Sequence, residues 1–236
     1  ANTYTGSTTI NAGRLIGGSA SAFGVTSAVS LTTAGATLDI GGFGIAIGSL
    51  TGVAGSIVTG SVANATLTTG GLNQNALFAG NILDGPGAIL SLTKVGTAIL
   101  TLSGNNTYSG ATTLTGGTLL AGSTTGFSAA SAFNVGAATT LDLGGFNNTI
   151  LSLAGAATGV IQNSGVPNAV LTFGNAASLN FAGNIVAGPI GSGSLGITKN
   201  GTGTQTLSGT NNYAGPTTVN AGALLAGSTA AFGSNS

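Results

Sequence analysis

The stretch GTAILTLSGNNTYSGATTLTGGTLLAG, from Gly96 to Gly122, decides the fold of this chain. It returns from Gly201 to Gly227 as GTGTQTLSGTNNYAGPTTVNAGALLAG, and its second half stands from Asn2 to Gly18 as NTYTGSTTINAGRLIGG. Each copy consists of short Leu- and Thr-rich runs separated by Gly and Asn. A unit of this kind has an apolar face that it cannot bury alone, so we expect neighbouring units to stack on one another.

The spacing of matching residues gives the length of the repeat. Tyr4, Tyr108 and Tyr213 are equivalent and lie 104 and 105 residues apart. We expect these tyrosines to pack at a corner of each turn, and a repeated contact with a carbohydrate or a partner is the alternative. The whole chain is predicted to be one continuous segment in which each repeat contains several turns. The predicted limits are 1–236 for the segment, 2–105 and 106–210 for two units, and 211–236 for a partial third.

Alternation inside the repeats predicts strands rather than helices. Leu90 and Leu92 should point one way and the intervening Ser and Thr the other, which is the period of a β-strand. Leu102 and Leu207 should be equivalent core positions. No sustained helical pattern occurs, and the 44 glycines and many β-branched residues disfavour helices. The chain is therefore predicted to be all-β.

Two all-β arrangements fit this pattern. An antiparallel sandwich or barrel would use many hairpins and an alternating polar outer face. A parallel β-helix stacks each turn on the one before, with successive strands about 4.8 Å apart, so that like residues lie on like residues. The repeated segments, the small outward residues and the near absence of charge favour the parallel β-helix, since ladders of Thr and Asn can hydrogen-bond along the stack.

Composition narrows the possible functions. The chain has 3 Lys or Arg, 3 Asp or Glu, no net charge, no His and no Cys. Disordered chains combine high net charge with low hydrophobicity, and nucleic-acid-binding proteins carry basic patches, so both classes are disfavoured. Catalysis needs converging titratable groups, and calcium needs several carboxylates. We therefore expect no catalytic residues, no cofactor and no metal site, and we do not expect an enzyme.

The charged residues have simpler expected roles. Asp39 and Asp142 each precede a Gly-Gly pair and should accept backbone hydrogen bonds in turns. Lys94 and Lys199 precede Gly-containing turns and should be solvated there. Arg14 is replaced by an uncharged residue in the other copies, so we expect it to be exposed on a face.

Three segments of the second copy carry a resemblance to a known family. Leu92–Lys94, Thr101–Gly104 and Asn106–Gly110 resemble the passenger-associated repeat of bacterial autotransporters. The next copy departs from the pattern in having Ala214 for Ser and Gln205 for Leu. The resemblance implies a right-handed parallel β-helix, export to the bacterial cell surface, and a role as a stalk or adhesin.

These observations together predict a structural extracellular protein. We expect a rigid β-helical rod that forms a cell-surface stalk or a self-associating filament. The alternative is an adhesin or binding module whose flat faces contact a host surface or a carbohydrate. The chain begins and stops within the same kind of segment, so we expect either covalent continuation in a longer chain or end-to-end association. No nucleic acid and no membrane span are expected for this segment.

Overall fold

Alternating apolar and hydroxyl residues form short strands that each bury one side. A computed structural model of the chain describes residues 1–233. In the strand Leu90–Lys94, residues 90, 92 and 94 are buried while 91 and 93 are only half-buried, which confirms the expected alternation. Leu102 and Leu207 are both fully buried, so the predicted inward positions are confirmed as well.

The strands between residues 1 and 233 are two to five residues long. In chain order they are β1 (Thr8–Ile10), β2 (Arg14–Ile16), β3 (Ala28–Leu31), β4 (Thr37–Asp39), β5 (Gly44–Ile47), β6 (Ser49–Gly52), β7 (Ile57–Thr59), β8 (Ala65–Thr69), β9 (Ala76–Phe78), β10 (Asn81–Ile82), β11 (Leu90–Lys94), β12 (Ile99–Leu102), β13 (Thr112–Leu114), β14 (Thr118–Ala121), β15 (Ala132–Val135), β16 (Thr140–Asp142), β17 (Asn148–Thr149), β18 (Ser152–Gly155), β19 (Val160–Gln162), β20 (Ala169–Phe173), β21 (Leu179–Phe181), β22 (Asn184–Ile185), β23 (Leu195–Lys199), β24 (Thr204–Leu207), β25 (Thr217–Val219) and β26 (Ala223–Ala226).

The strands line three faces, which the chain visits in a fixed order in every turn. The first face is the nine-stranded sheet β1-β3-β6-β9-β12-β14-β16-β19-β22, and the third is the nine-stranded sheet β5-β8-β11-β13-β15-β18-β21-β24-β26. The second face carries two four-stranded sheets, β2-β4-β7-β10 and β17-β20-β23-β25. In both smaller sheets the strands follow a first-face strand and precede a third-face strand, except β2, which is followed by β3, and β25, which follows β24, so these sheets share one side of the molecule.

Strands of successive turns pair in parallel. Leu92, for example, pairs with Leu67 of the preceding turn and with Thr112 of the following turn. The result is a β-solenoid of about ten turns of roughly 22 residues, with no helix among residues 1–233. This confirms the all-β parallel prediction and excludes the antiparallel sandwich and barrel. In the part of the chain that the structure describes, no helix is long and apolar enough to cross a membrane.

The core is a continuous column of stacked apolar side chains. On the first face, Phe78, Leu102 and Ala121 occupy one position in three successive turns, and all three are buried. Full burial of a Leu or Phe side chain contributes about 1.5–3 kcal/mol relative to its exposure to water. Each turn therefore depends on the turns above and below it for most of its apolar contacts.

Equivalent residues of successive copies lie on different faces, because the repeat is not a whole number of turns. β1, β13 and β25 are equivalent in sequence and lie on the first, third and second face, respectively. From β1 to β13 the chain makes four complete turns and advances by two further faces. Each copy is therefore rotated by about two thirds of a revolution relative to the previous copy.

Asparagine side chains bridge the two turns of the second face that lack a strand, between β10 and β17. The backbone N–H of Ile82 donates to Oδ1 of Asn106 (2.8 Å), and Nδ2 of Asn106 donates to the carbonyl oxygen of Gly126 (2.7 Å). One turn further on, the N–H of Phe127 donates to Oδ1 of Asn148 (3.0 Å). A side-chain amide offers both a donor and an acceptor, as a peptide group does. These bonds therefore join the turns where no ladder is present.

Candidate functional site

Two lysines lie inside the solenoid, so the prediction that they are solvated at turns is wrong. Lys94 and Lys199 are each 1% exposed. The Nζ of Lys94 donates to the carbonyl oxygens of Val95 (2.8 Å), Gly96 (3.2 Å) and Gly116 (3.1 Å). Burial lowers the pKa of Lys94 to about 8 and also lowers the pKa of Lys199. Both lysines are thus internal structural groups that join one turn to the next.

The strand alternation explains why these lysines are buried. Lys94 follows Leu90 and Leu92 at the same two-residue spacing, so its side chain enters the core with theirs. Gly96, in the turn that follows, has a φ of 71°, a left-handed conformation that Gly adopts readily. The carbonyl oxygens of this turn satisfy the ammonium group. Lys199 repeats the arrangement, with bonds to Asn200, Gly201 and Ala221.

Asp39 accepts hydrogen bonds in a turn, as predicted. Its Oδ1 accepts bonds from the N–H groups of Gly41 (2.8 Å) and Ser61 (3.1 Å), and its Oδ2 accepts one from Oγ of Ser61 (2.5 Å) and one from Arg14. Burial alone would raise the pKa of Asp39, but the bonds from Ser61 and Gly41 and the Arg14 guanidinium together hold it below its ordinary value. The carboxylate therefore fastens two adjacent turns.

Asp142 has the same role in the next copy without a cation. Its Oδ1 accepts bonds from the N–H groups of Gly144 (3.0 Å) and Ser164 (2.9 Å). Nε2 of Gln162 donates to its Oδ2 (2.7 Å), the oxygen that corresponds to the one bound by Arg14 in Asp39. The prediction that Asp142 accepts backbone bonds in a turn is also confirmed.

The exterior is consequently almost free of charge. Of the six charged side chains, only Arg14 is exposed, as expected, and Asp84 is half-buried; the other four are buried. Asp84 accepts bonds from the N–H of Leu90 (2.8 Å) and from Oγ of Ser109 (2.5 Å). Within residues 1–233, no group of three or more Asp, Glu, His or Cys residues could hold a metal ion. The outer surface offers hydroxyl, amide and methyl groups instead.

The recurring tyrosines of the second and third copies are structural. Tyr108 and Tyr213 are fully buried. The hydroxyl groups of Tyr108 and Thr112 are hydrogen-bonded at 2.7 Å, and Tyr213 makes the equivalent bond to the threonine four residues on. Burial raises the pKa of Tyr108. Packing within the turn is thus confirmed for these two, and a repeated partner contact through them is excluded; Tyr4 is 39% exposed.

The strand-free part of the second face forms an open groove. It is lined by residues 105–107 of one turn, residues 124, 125 and 127–130 of the next turn, and Thr149 of a third, and its volume is about 360 Å³. Phe127, which is buried, is one of the lining residues. Asn105, Thr107 and Thr124 are exposed on its rim, and their side chains, like that of Thr149, make no hydrogen bond within the described residues.

An equivalent groove of about 350 Å³ occurs in the first copy. It is lined by residues 1–4 and 20–26, which lie 104 residues before their counterparts. Ala1 and Ala20 stand where the second copy has Asn105 and Thr124. The first groove lies on the third face and the second on the second face, because each copy is rotated. Neither groove is predicted from the sequence, whose only signal for them is the loss of strand alternation there.

Comparison with known proteins agrees with this architecture. The family model described as passenger-associated-transport-repeat matches residues 1–16, 92–121 and 197–226. Over 182 residues the chain is 38% identical to the Adhesin BmaC autotransporter of Brucella suis biovar 1 (strain 1330), a match that covers 75% of this chain and 5% of that protein. The chain thus spans about a twentieth of the length of this relative. No solved structure matches the chain.

Proposed function

Because the chain belongs to the β-helical passenger segments of bacterial autotransporters that carry passenger-associated transport repeats, we propose that it is a rigid rod in a surface stalk. It is an extracellular, adhesin-like protein of the bacterial surface. The observation that supports the rod is the parallel pairing of the two nine-stranded sheets, which overlap along the chain from β1 to β26. On the second face, bonds of Asn106 and Asn148 join the turns that lack a strand.

The proposed role is mechanical and involves no catalysis. Four of the six charged side chains are buried in bonds that hold turns together, so they are committed to structure. The proposed segment is the whole chain as one unit, with the repeat limits given above, continued covalently in a longer polypeptide. About ten turns spaced by about 4.8 Å give a rod of about 48 Å.

Small-angle X-ray scattering and urea unfolding of the purified chain test this proposal. We expect an elongated particle of about that length, resistance to proteolysis between residues 1 and 233, and one cooperative unfolding transition. A compact particle, or separate transitions for the two copies, would contradict a single rigid rod. Light scattering over a range of concentrations tests self-association into filaments, the other form of the structural role.

A second candidate is an adhesin whose faces contact a host surface or a carbohydrate. It is favoured by the match to a protein described as an adhesin and by an exterior almost without charge, which leaves hydroxyl and amide groups as the contacts. This role is tested by measuring how well beads coated with the folded chain adhere to host cells. Beads coated with urea-unfolded chain are the control. Equal adhesion of both would contradict it.

A further inference from the structure

We infer that the groove formed by residues 105–107, 124, 125, 127–130 and Thr149 binds an uncharged saccharide unit of a glycan chain. This inference rests on the extracellular, adhesin-like setting of the chain and goes beyond the rod, because it assigns a ligand to one place on the surface. The volume of the groove, about 360 Å³, lies at the lower end of the range of small-molecule sites in proteins.

The unpaired groups on the rim define the chemistry of the ligand. The amide of Asn105 and the hydroxyl groups of Thr107, Thr124 and Thr149 offer donors and acceptors close together, and none is used within the described residues. A ligand that matches them must itself carry both donors and acceptors, as a sugar hydroxyl does. The apolar floor beside Phe127 and Ala129 suits the C–H side of a sugar ring.

Charge excludes the other common surface ligands. No charged side chain lines the groove, so nothing there would balance a phosphate, a sulfate or a carboxylate. Arg14, the one exposed cation in the described part of the chain, lines a different depression with Pro86. The groove should therefore select neutral sugars over sialylated or sulfated ones.

The first copy supplies a natural comparison within the same molecule. Its groove has Ala1 and Ala20 in place of Asn105 and Thr124, and within the described residues it offers three unpaired hydroxyl groups, those of Thr3, Ser21 and Thr26, against four unpaired polar side chains in the second copy. The second-copy groove should therefore bind more tightly. These alanines also indicate that the fold accepts the corresponding substitutions.

The test uses the complete chain and a printed panel of neutral hexose and N-acetylhexosamine oligosaccharides, with sialylated and sulfated ones beside them. Isothermal titration with the best neutral oligosaccharide then compares the wild type with the double variant Asn105→Ala and Thr124→Ala. We expect about tenfold weaker binding, since each lost hydrogen bond weakens binding by a factor of about two to twelve. The matched control, Gln74→Ala with Thr202→Ala, changes an exposed amide and an exposed hydroxyl outside the groove and should bind as the wild type does.

Several results would overturn the inference. They are the absence of binding to every neutral oligosaccharide, a preference for the acidic ones, or equal binding by the groove variant and the wild type. A second copy of the chain that occupied the groove would also overturn it, and this would appear as concentration-dependent scattering abolished by Ala129→Trp. Circular dichroism and protease resistance, measured on the same samples, report on the rod separately.

Discussion

Replacement of Asn106 by Ala tests whether side-chain amides hold the second face together. The substitution removes the acceptor for the buried N–H of Ile82 and the donor to the buried carbonyl of Gly126. A buried polar group left without a partner costs about 1–3 kcal/mol, so the two orphaned groups should lower the free energy of unfolding by about 2–6 kcal/mol. Because the lost bonds lie between turns, hydrogen exchange should also accelerate first near residues 82 and 126.

Asn105→Ala is the matched control, since it deletes the same amide one residue away. The Asn105 side chain is exposed and makes no hydrogen bond within the described residues, so its loss should change stability by less than about 0.5 kcal/mol. Urea unfolding followed by circular dichroism measures both variants. Equal, small effects of the two substitutions would refute the bridging role, and the two strand-free turns would then be held by backbone bonds such as that from the N–H of Thr107 to the carbonyl oxygen of Ile82 (3.0 Å).

Three further predictions concern the core, the corners and the buried lysine. Leu102→Asp should destabilise by several kcal/mol and Thr101→Asp by much less in thermal melts, because only residue 102 faces the core. Gly104→Ala should lower the melting temperature, since a Cβ there would lie 1.8 Å from the Gly80 carbonyl oxygen, whereas Gly44→Ala meets open space and should not. The pKa of Lys94 is about 8 in the folded chain instead of 10.5, so above pH 8 the unfolded chain binds more protons than the folded chain. The free energy of unfolding should therefore rise between pH 8 and 9.5, and it should rise less in Lys94→Met.

Outcomes that contradict these three predictions are equally specific. Similar melting of the Leu102 and Thr101 variants would reverse the assigned facing of β12, and similar melting of the two glycine variants would mean that adjacent turns separate easily. A stability that falls from pH 8 to 9.5 in the wild type would show that the carbonyl bonds to the ammonium outweigh its burial. The pH range ends at 9.5, below the ordinary pKa of tyrosine, because titration of Tyr108 in the unfolded chain would lower stability at higher pH.

Strand positions could be predicted because alternation is a local property. Leu90 and Leu92 have the two-residue spacing of a strand, and the same spacing continues to Lys94. The expectation for Lys94 failed because the preference of lysine for water was given more weight than that spacing. Three backbone carbonyl oxygens compensate the buried ammonium, and they come from two turns, since Gly116 follows Val95 and Gly96 by about twenty residues in the sequence.

The face on which each copy lies could not be predicted, because turn length varies at the corners. The pairing of Gly52 with Phe78 joins residues 26 apart, whereas Leu102 and Ala121 pair at a separation of 19. Extra residues enter the loops without disturbing the strands, so strand register is kept while the residue count per turn changes. A period of 104 residues alone therefore fits several numbers of turns. The grooves were missed for the same reason, since they depend on which loops become neighbours.

Rotation of successive copies has a mechanical consequence for a rod. The long loop 83–89 projects at the corner between the second and third faces, and its counterpart 186–194 projects between the first and second. If every copy began on the same face, all such loops would lie at one corner and all strand-free stretches on one side. The rod would then bend more easily toward the side that lacks strands. Steps of two thirds of a revolution distribute loops, grooves and strand-free stretches over all three sides. Three repeats, about 14 turns or about 67 Å, then return to the starting face, so the sequence period itself spaces these features evenly around the solenoid.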